Sequence, residues 1–168
     1  MVRLILCSWF LTFASTLSAA PVPVSLEEVA GTWKLMREGK PYLIKGAGGS
    51  VKLDLLKQCG GNSIRTWGVD AKTKELLDTA HSHGLTVTVG IWLAHLNRGA
   101  NYEDAELIER QTDEVRRAVE KYKDHPAVLA WGLGNEMEVG ENGDTNVALW
   151  RHINDLAKLV KQIDPHHP

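Results

Sequence analysis

The fold is decided by one short stretch, Ala127-Val128-Leu129-Ala130-Trp131-Gly132-Leu133-Gly134-Asn135-Glu136. An apolar run of this length, preceded by a proline and closed by glycines, predicts a buried strand rather than a helix. Alternate residues of a strand point to opposite faces, so one face would carry small side chains and the other bulky ones. The small face comprises Val128, Ala130, Gly132 and Gly134, and the bulky face comprises Leu129, Trp131 and Leu133. A strand of this kind suits a narrow barrel wrapped in helices, with Asn135 and Glu136 at the carboxyl end, where such barrels carry their active sites.

The rest of the chain repeats a rhythm of strand followed by helix. The earlier predicted strands are Tyr42–Ala47, Asn62–Trp67 and Leu85–Leu93. The predicted helices are Leu53–Gln58, about 71–83 (capped by Asp70 and closed by Gly84), about 104–123 and about 145–163. Strands that alternate with helices predict a parallel sheet with right-handed crossovers. Four such units are half of a TIM (β/α)8 barrel, and the chain stops at His166-His167-Pro168, where a fifth strand is expected. The sequence therefore predicts an α/β fold, the N-terminal half of a barrel truncated before strand five.

Two segments precede this domain, which is predicted to span residues 42–168. Residues 1–20 have a basic start, an apolar core and small residues at the end, which predicts a signal peptide and a secreted or periplasmic protein. An uncleaved anchor is the alternative; after signal removal no membrane association is expected. Residues 21–41 form a lead-in, in which Ser25-Leu26-Glu27-Glu28 has the spacing of a helix capping box. The stretch after it predicts a hairpin that turns at Glu38-Gly39-Lys40.

Composition and short motifs exclude several classes of function. A net charge of −2 offers no basic field for nucleic acid. Cys59 would be the single cysteine of the mature chain, so no disulfide framework is expected, and it is predicted to be an inert core thiol. Gly46-Ala47-Gly48-Gly49-Ser50 lacks the Gly-Lys-Ser/Thr of a phosphate loop. His166 and His167 lack further ligands at a suitable spacing, so no metal site is expected.

Four segments occur in the order Tyr42-Leu43-Ile44-Lys45-Gly46, Asn62-Ser63-Ile64-Arg65-Thr66-Trp67, Gly84-Leu85-Thr86-Val87-Thr88-Val89-Gly90 and the run from His125-Pro126 to Asn135-Glu136. Together they resemble the first half of a clan A retaining glycoside hydrolase. The resemblance covers roughly residues 40 to 168 and is closest to the barrel domain of glycoside hydrolase family 2 and related β-glucanases and glucanosyltransferases. It implies an oligo- or polysaccharide substrate and no cofactor.

The resemblance also implies roles for individual residues. Glu136 would be the general acid/base, and the nucleophile would lie beyond this sequence. Two carboxylates are needed because one protonates the leaving sugar oxygen while the other attacks the anomeric carbon. By hypothesis Glu136 stays protonated through partial burial and a carboxylate neighbour. Asn135 would bind the sugar 2-hydroxyl and Arg65 would orient or ionise the nucleophile, while Trp67, Trp92 and His95 would line the sugar site.

Each assignment has a simpler structural alternative. Glu136 could be a helix cap or a solvated loop residue, and Arg65 an ion-pair partner. His95 could be an ordinary surface histidine, and Trp67 and Trp92 could be packing residues, the role expected of Trp33 and Trp150; Glu138 and Glu141 are expected to be loop charges. For the whole chain, the alternatives are a non-catalytic half-barrel that binds carbohydrate or self-associates, and a small doubly wound sheet with a ligand at its strand ends.

Overall fold

The computed structural model of the protein describes residues 20–138 and 146–168. The strands are β1 (Val24–Val29), β2 (Thr32–Arg37), β3 (Lys40–Pro41), β4 (Gly46–Gly48), β5 (Ser63–Arg65), β6 (Thr86–Ile91) and β7 (Val128–Leu133). The helices are α1 (Leu53–Gln58), α2 (Thr73–Ser82), α3 (Ala105–Tyr122) and α4 (Val147–Ile163), and a 3-10 turn spans Leu96–Arg98. Within these described residues, no helix has both the length and the apolar character to cross a membrane. The predicted signal peptide lies almost wholly outside them.

The lead-in is an antiparallel meander of β1, β2 and β3, so the capping-box interpretation of Ser25–Glu28 is wrong. These residues pair along their whole length with β2, and the Ser25 hydroxyl donates to Glu27 Oε1 within the strand instead of capping a helix. Long-range pairing therefore overrides the local capping signal. The hairpin prediction holds, because β2 and β3 pair on either side of Glu38-Gly39.

A second sheet contains the strands of the predicted barrel half, parallel and in the order β4-β5-β6-β7. The four strand-and-helix units are confirmed. β5 is shorter than predicted, and β4 shares only Gly46 and Ala47 with the predicted strand and extends to Gly48. Residues before β4 contact Asn62, the residue that precedes β5: Asn62 N donates to Lys45 O at 2.8 Å, and the Asn62 side chain adds two further hydrogen bonds. Its Oδ1 accepts from Lys45 N at 2.7 Å and its amide donates to Leu43 O at 2.8 Å.

The two faces of the sheet differ as predicted, with one exception. Val87, Val89 and Trp131 pack on the side that contacts the helices. A register shift pairs Val87 with Val128 but Thr88 with Ala130, which leaves one extra residue in β7. This bulge puts Val128 into the helix-facing core, so its predicted place on the small face is wrong.

Close approach of the backbone explains why the other face is small. A Cβ added at Gly90 would lie 2.1 Å from the carbonyl oxygen of Thr66, while the Gly90 amide donates to Thr66 Oγ1 at 3.0 Å. A side chain there would separate β6 from the residues that follow β5. The carboxyl ends of these strands are consequently held close together.

The helices follow the predicted pattern with small shifts at their ends. Helix α1 has the predicted bounds, but Cys59 at its end is exposed, so the core-thiol prediction is wrong. Helix α2 starts at Thr73 with Lys72 as its N-cap, so the predicted cap at Asp70 is wrong; Asp70 Oδ1 accepts instead from Lys72 N and from the Thr73 hydroxyl in the preceding turn. The carboxylate of Asp104 caps α3 by accepting from Glu106 N.

The last residues of the chain close onto the barrel half through a buried network. Asp164, 1% exposed, accepts hydrogen bonds from Trp131 Nε1 at 2.8 Å and pairs with His167 Nδ1 at 2.7 Å. Trp131 N donates to Pro168 O, so the chain end lies along the outer edge of β7. His167 is thus a structural residue, and no cluster of three or more His, Cys, Asp or Glu side chains suited to a metal occurs in residues 20–138 and 146–168.

Candidate active site

The turn that ends β7 carries two residues with positive φ. Gly134 has φ of 73°, and Glu136 has φ of 49°, a left-handed conformation that is uncommon for a residue with a side chain. Gly134 N donates to Ile91 O at 2.9 Å, and a Cβ added at Gly134 would lie 2.5 Å from Met137 Sδ. Backbone of this kind clusters at functional sites, where surrounding structure maintains it. The turn therefore presents Asn135 and Glu136 at the carboxyl end of the sheet.

A hollow of about 590 Å³ at this end is lined by three of the predicted site residues: Arg65, Asn135 and Glu136. Arg65 ends β5 and Asn135 follows β7, and the Arg65 guanidinium donates to Asn135 Oδ1 at 3.1 Å. The bond spans 70 residues of sequence. Parallel strands bring their carboxyl ends to one edge, which is why residues so distant in the chain meet here.

The side chain of Glu136 is more exposed than the hypothesis of a partly buried acid expects. Its side chain is exposed, so the partial burial that was expected to keep it protonated is absent among the described residues. A carboxylate does lie in the same hollow, that of Glu138, which is also exposed. Glu138 is more than the free loop charge that the sequence suggests, because Trp150 Nε1 donates to its Oε1 at 2.6 Å. Glu141 lies outside the described residues.

Trp150 is a residue of the hollow that the sequence interpretation missed. It was predicted to be a packing residue, yet it is 44% exposed and lines the hollow with Glu136. The apolar stripe of α4 contains Leu149 and Leu156, and Trp150 lies off that stripe. The available signal was an indole that lies outside the apolar stripe, at the start of the helix that follows β7. Trp33 is also exposed, at 67%, on β2.

Trp92 and His95 lie together but line a different hollow, of about 350 Å³. Their rings stack at 4.6 Å with an interplanar angle of 12°, and the Arg98 guanidinium lies 6.0 Å from the Trp92 ring centroid. His95 is 8% exposed, so it is not an ordinary surface histidine. This aromatic pair directly follows β6, between the strands that carry Arg65 and Asn135.

Buried polar side chains hold the loop that carries this pair. Gln111 Oε1 accepts from Ala94 N at 2.9 Å, and the Tyr102 hydroxyl donates to Ala94 O at 2.6 Å. Burial raises the pKa of Tyr102, although its contact with Gln111 acts in the opposite direction. The phenol therefore remains a hydrogen-bond donor over a wide pH range.

Trp67 does not share the hollow of Glu136 either. It lines a separate hollow of about 740 Å³ between α1 and α2, together with Leu53 and Leu76. A Cβ added at Gly48 would lie 2.8 Å from the Trp67 ring, so the indole packs across the end of β4. Of the six predicted site residues, the structure brings together Arg65, Asn135 and Glu136, and places the aromatic residues in neighbouring hollows.

The parallel strand order and the outer helices define half of a (β/α)8 barrel. The family model "Glycosyl hydrolases family 2, TIM barrel domain" matches residues 51–168. The chain belongs to this family.

Individual relatives agree with this assignment. A probable mannan endo-1,4-β-mannosidase C of Aspergillus terreus is 33% identical over 63 residues, which are 32% of this chain and 16% of the relative. A β-galactosidase of Arthrobacter sp. is 31% identical over 119 residues, 64% of this chain and 11% of the relative. The structure of a Ruminococcus gnavus β-glucuronidase shares the fold, with a TM-score of 0.65 and 19% identity over 85% of this chain and 26% of that one. The chain thus spans between 11% and 26% of the length of these relatives.

Proposed function

We propose that the chain is the acid/base-bearing half of the catalytic barrel of an exported retaining glycoside hydrolase or transglycosylase that acts on β-linked glycosides. The observation that carries the proposal is the position of Glu136 beside Asn135 at the end of β7, in the same hollow as Arg65, in a chain of glycosyl hydrolase family 2. The names of two relatives, a mannan endo-1,4-β-mannosidase and a β-galactosidase, support a β-linked saccharide as the substrate.

In this proposal Glu136 protonates the departing glycosidic oxygen and later removes a proton from the incoming water or sugar hydroxyl. Its exposure to the hollow gives it access to both groups. The nucleophile that attacks the anomeric carbon comes from outside these 168 residues. Glu138, the second carboxylate of the hollow, is not that nucleophile in this proposal, because it already accepts a hydrogen bond from Trp150 and lies only two residues from Glu136.

Asn135 and Arg65 form the second part of the mechanism. The Arg65 bond to Asn135 Oδ1 fixes the side-chain amide, so that its NH2 group is free to donate to a sugar hydroxyl. We assign that hydroxyl to the 2-position, where a hydrogen bond strengthens as positive charge develops on the ring. Arg65 itself supplies a positive charge that would favour the ionised form of the incoming nucleophile.

The test is the Glu136→Gly variant of the native protein, assayed on two β-glycosides. With an aryl leaving group that needs no protonation, the glycosyl-enzyme still forms, and azide added in place of the missing base should restore turnover and yield the β-glycosyl azide. With an alkyl or sugar leaving group, turnover should fall by about 10²–10⁴-fold. Glu138→Gln is the matched control and should not respond to azide; equal losses on both substrates without azide rescue would refute the role of Glu136.

The purified 168-residue chain alone is expected to show little or no glycosidase activity. Measurable turnover that Glu136→Gln abolishes would contradict the placement of the nucleophile outside it.

The alternative function is a half-barrel module that binds carbohydrate or associates with a second copy without catalysis. Its support is the open edge of the sheet, where all three residues of β4 (Gly46–Gly48) are exposed. Size-exclusion chromatography distinguishes the two cases, because a tight and monodisperse dimer favours the module.

A further inference from the structure

The hollow beside Glu136 contains an aromatic wall that the proposed mechanism does not use. Trp150 lies on the first turn of α4, is 44% exposed and lines the hollow. Its Nε1 donates to Glu138 Oε1 at 2.6 Å, so the edge of the indole is fixed while the ring remains accessible. An indole held in this way presents a preorganised apolar surface.

The charges of the hollow restrict what can lie against that surface. Apart from Glu136, which must be protonated to act as the acid, the charged side chains among the described residues that line it are those of Arg65 and Glu138. The single cation already donates to Asn135. A sugar on the Trp150 indole would lie beside the Glu138 carboxylate, which accepts from Trp150 Nε1, so a ligand that carries its own carboxylate would meet a negative charge there, whereas a neutral sugar would not.

We infer that Trp150 is the stacking platform of a sugar subsite next to Glu136, and that this subsite takes neutral β-1,4-linked hexopyranose units in preference to uronate units. The C–H face of a pyranose ring would lie on the indole, and its hydroxyls would reach Asn135 and Glu138. This inference rests on the proposed function for the identity of the ligand as a saccharide, but its test needs no catalysis.

The experiment measures binding to the purified 168-residue chain by titration of the indole N–H signals in NMR spectra. The neutral probes are β-1,4-mannohexaose and cellohexaose. The acidic probe is the β-1,4-mannuronate hexamer, which differs from mannohexaose at C6. We expect at least one neutral probe to bind with a Kd below 10 mM, to shift the Trp150 signal, and to bind about tenfold tighter than the acidic probe.

Four variants separate the platform from general effects. Trp150→Ala should weaken binding of the neutral probe about tenfold, and Trp150→Phe, which keeps an aromatic face, should recover most of that loss. Trp33→Ala removes an exposed indole on β2 that does not line the hollow and should leave the Kd unchanged. Glu138→Gln removes a charge and should narrow the difference between neutral and acidic probes.

Three results would overturn the inference. Neither neutral probe binds; or both Trp150→Ala and Trp150→Phe bind the neutral probe with a Kd within twofold of the parent; or the mannuronate hexamer binds more tightly than the neutral probes. Failure here is distinguishable from failure of the proposed function. The binding titration depends on Trp150 and needs no turnover, whereas the azide-rescue experiment depends on Glu136 and not on Trp150.

Discussion

The guanidinium of Arg65 donates a hydrogen bond to Oδ1 of Asn135 across 3.1 Å, and this bond joins the ends of β5 and β7. Since β6 lies between these strands, the bond spans the site-bearing edge of the sheet. It fixes the orientation of the amide next to Glu136. Both partners are accessible to solvent, so the bond contributes more to geometry than to stability.

The first prediction is a measurable coupling between Arg65 and Asn135. In a double-mutant cycle of Arg65→Gln and Asn135→Ala, urea unfolding should give a coupling free energy of about 0.5–1 kcal/mol. A cycle on the exposed pair Lys74 and Asp78, which lies on α2 away from the hollow, is the reference. Additive effects of Arg65 and Asn135 would show that the bond is absent in solution.

The second prediction concerns the turn that presents Glu136. Gly134→Ala should destabilise the protein, because Ala at φ of 73° costs about 1–2 kcal/mol and its Cβ would lie 2.5 Å from Met137 Sδ. Gly99→Ala is the matched control: its φ is 84° and nothing lies within 4 Å of the added Cβ. The difference between the two free energies of unfolding should be about 1–3 kcal/mol. Equal values would mean that Met137 moves aside freely.

The third prediction concerns the buried carboxylate that ties the chain end to β7. Asp164→Ala leaves Trp131 Nε1 and His167 Nδ1 without their partner and should lower the free energy of unfolding by about 3–5 kcal/mol. Asp155→Ala, at an exposed position paired with Lys158, should change it by less than about 0.5 kcal/mol. Chemical denaturation followed by tryptophan fluorescence measures both, and similar small values would show that the network contributes little.

Sequence reasoning found Arg65, Asn135 and Glu136 because their positions depend on one property of the fold, that parallel strands end at the same edge. It did not find that Trp67, Trp92 and His95 line other hollows, since loop geometry decides which way a side chain turns after its strand ends. Alternation indicated the faces of β7 correctly for Ala130 and Trp131. It failed for Val128 because a bulge has no signature in the local pattern.

The other errors have a common cause, the dominance of distant contacts over local signals. Ser25 lies in a strand because the residues of β2 pair with it, and the capping-box spacing has no means of reporting that pairing. Trp150 faces the hollow because Glu138, twelve positions earlier, holds its indole. Cys59 follows the apolar residues of α1 but lies beyond the last turn, where the chain leaves the core.

The last prediction is a pH dependence of stability that originates at His152 on α4. The side chain is 5% exposed, its ring lies 5.8 Å from that of Tyr102, and Nε2 has no hydrogen-bond partner among the described residues. Burial lowers the pKa of His152 below 6.5, and the negative charge of Asp155 opposes this only in part. At pH values between 6.5 and the lower pKa of the folded state, His152 therefore binds more protons in the unfolded chain than in the folded protein.

Stability conferred by neutral His152 is consequently complete above pH 6.5 and is lost as the pH falls toward the folded pKa, by up to about 1.4 kcal/mol per pH unit. His152→Leu removes this contribution, so the difference in free energy of unfolding between parent and variant should be constant from pH 7 to 9 and should shift in favour of the variant below 6.5.

His166→Leu, at an exposed histidine, is the control for the loss of an imidazole. Asp164 does not titrate in the same pH range. Burial alone would raise the pKa of Asp164, but hydrogen bonds from His167 and Trp131 hold that pKa below 3.8, so the contribution of Asp164 to stability is lost only at lower pH. A parent-minus-variant difference that stays flat from pH 8 to 5 would show that His152 is accessible to protons in the folded protein.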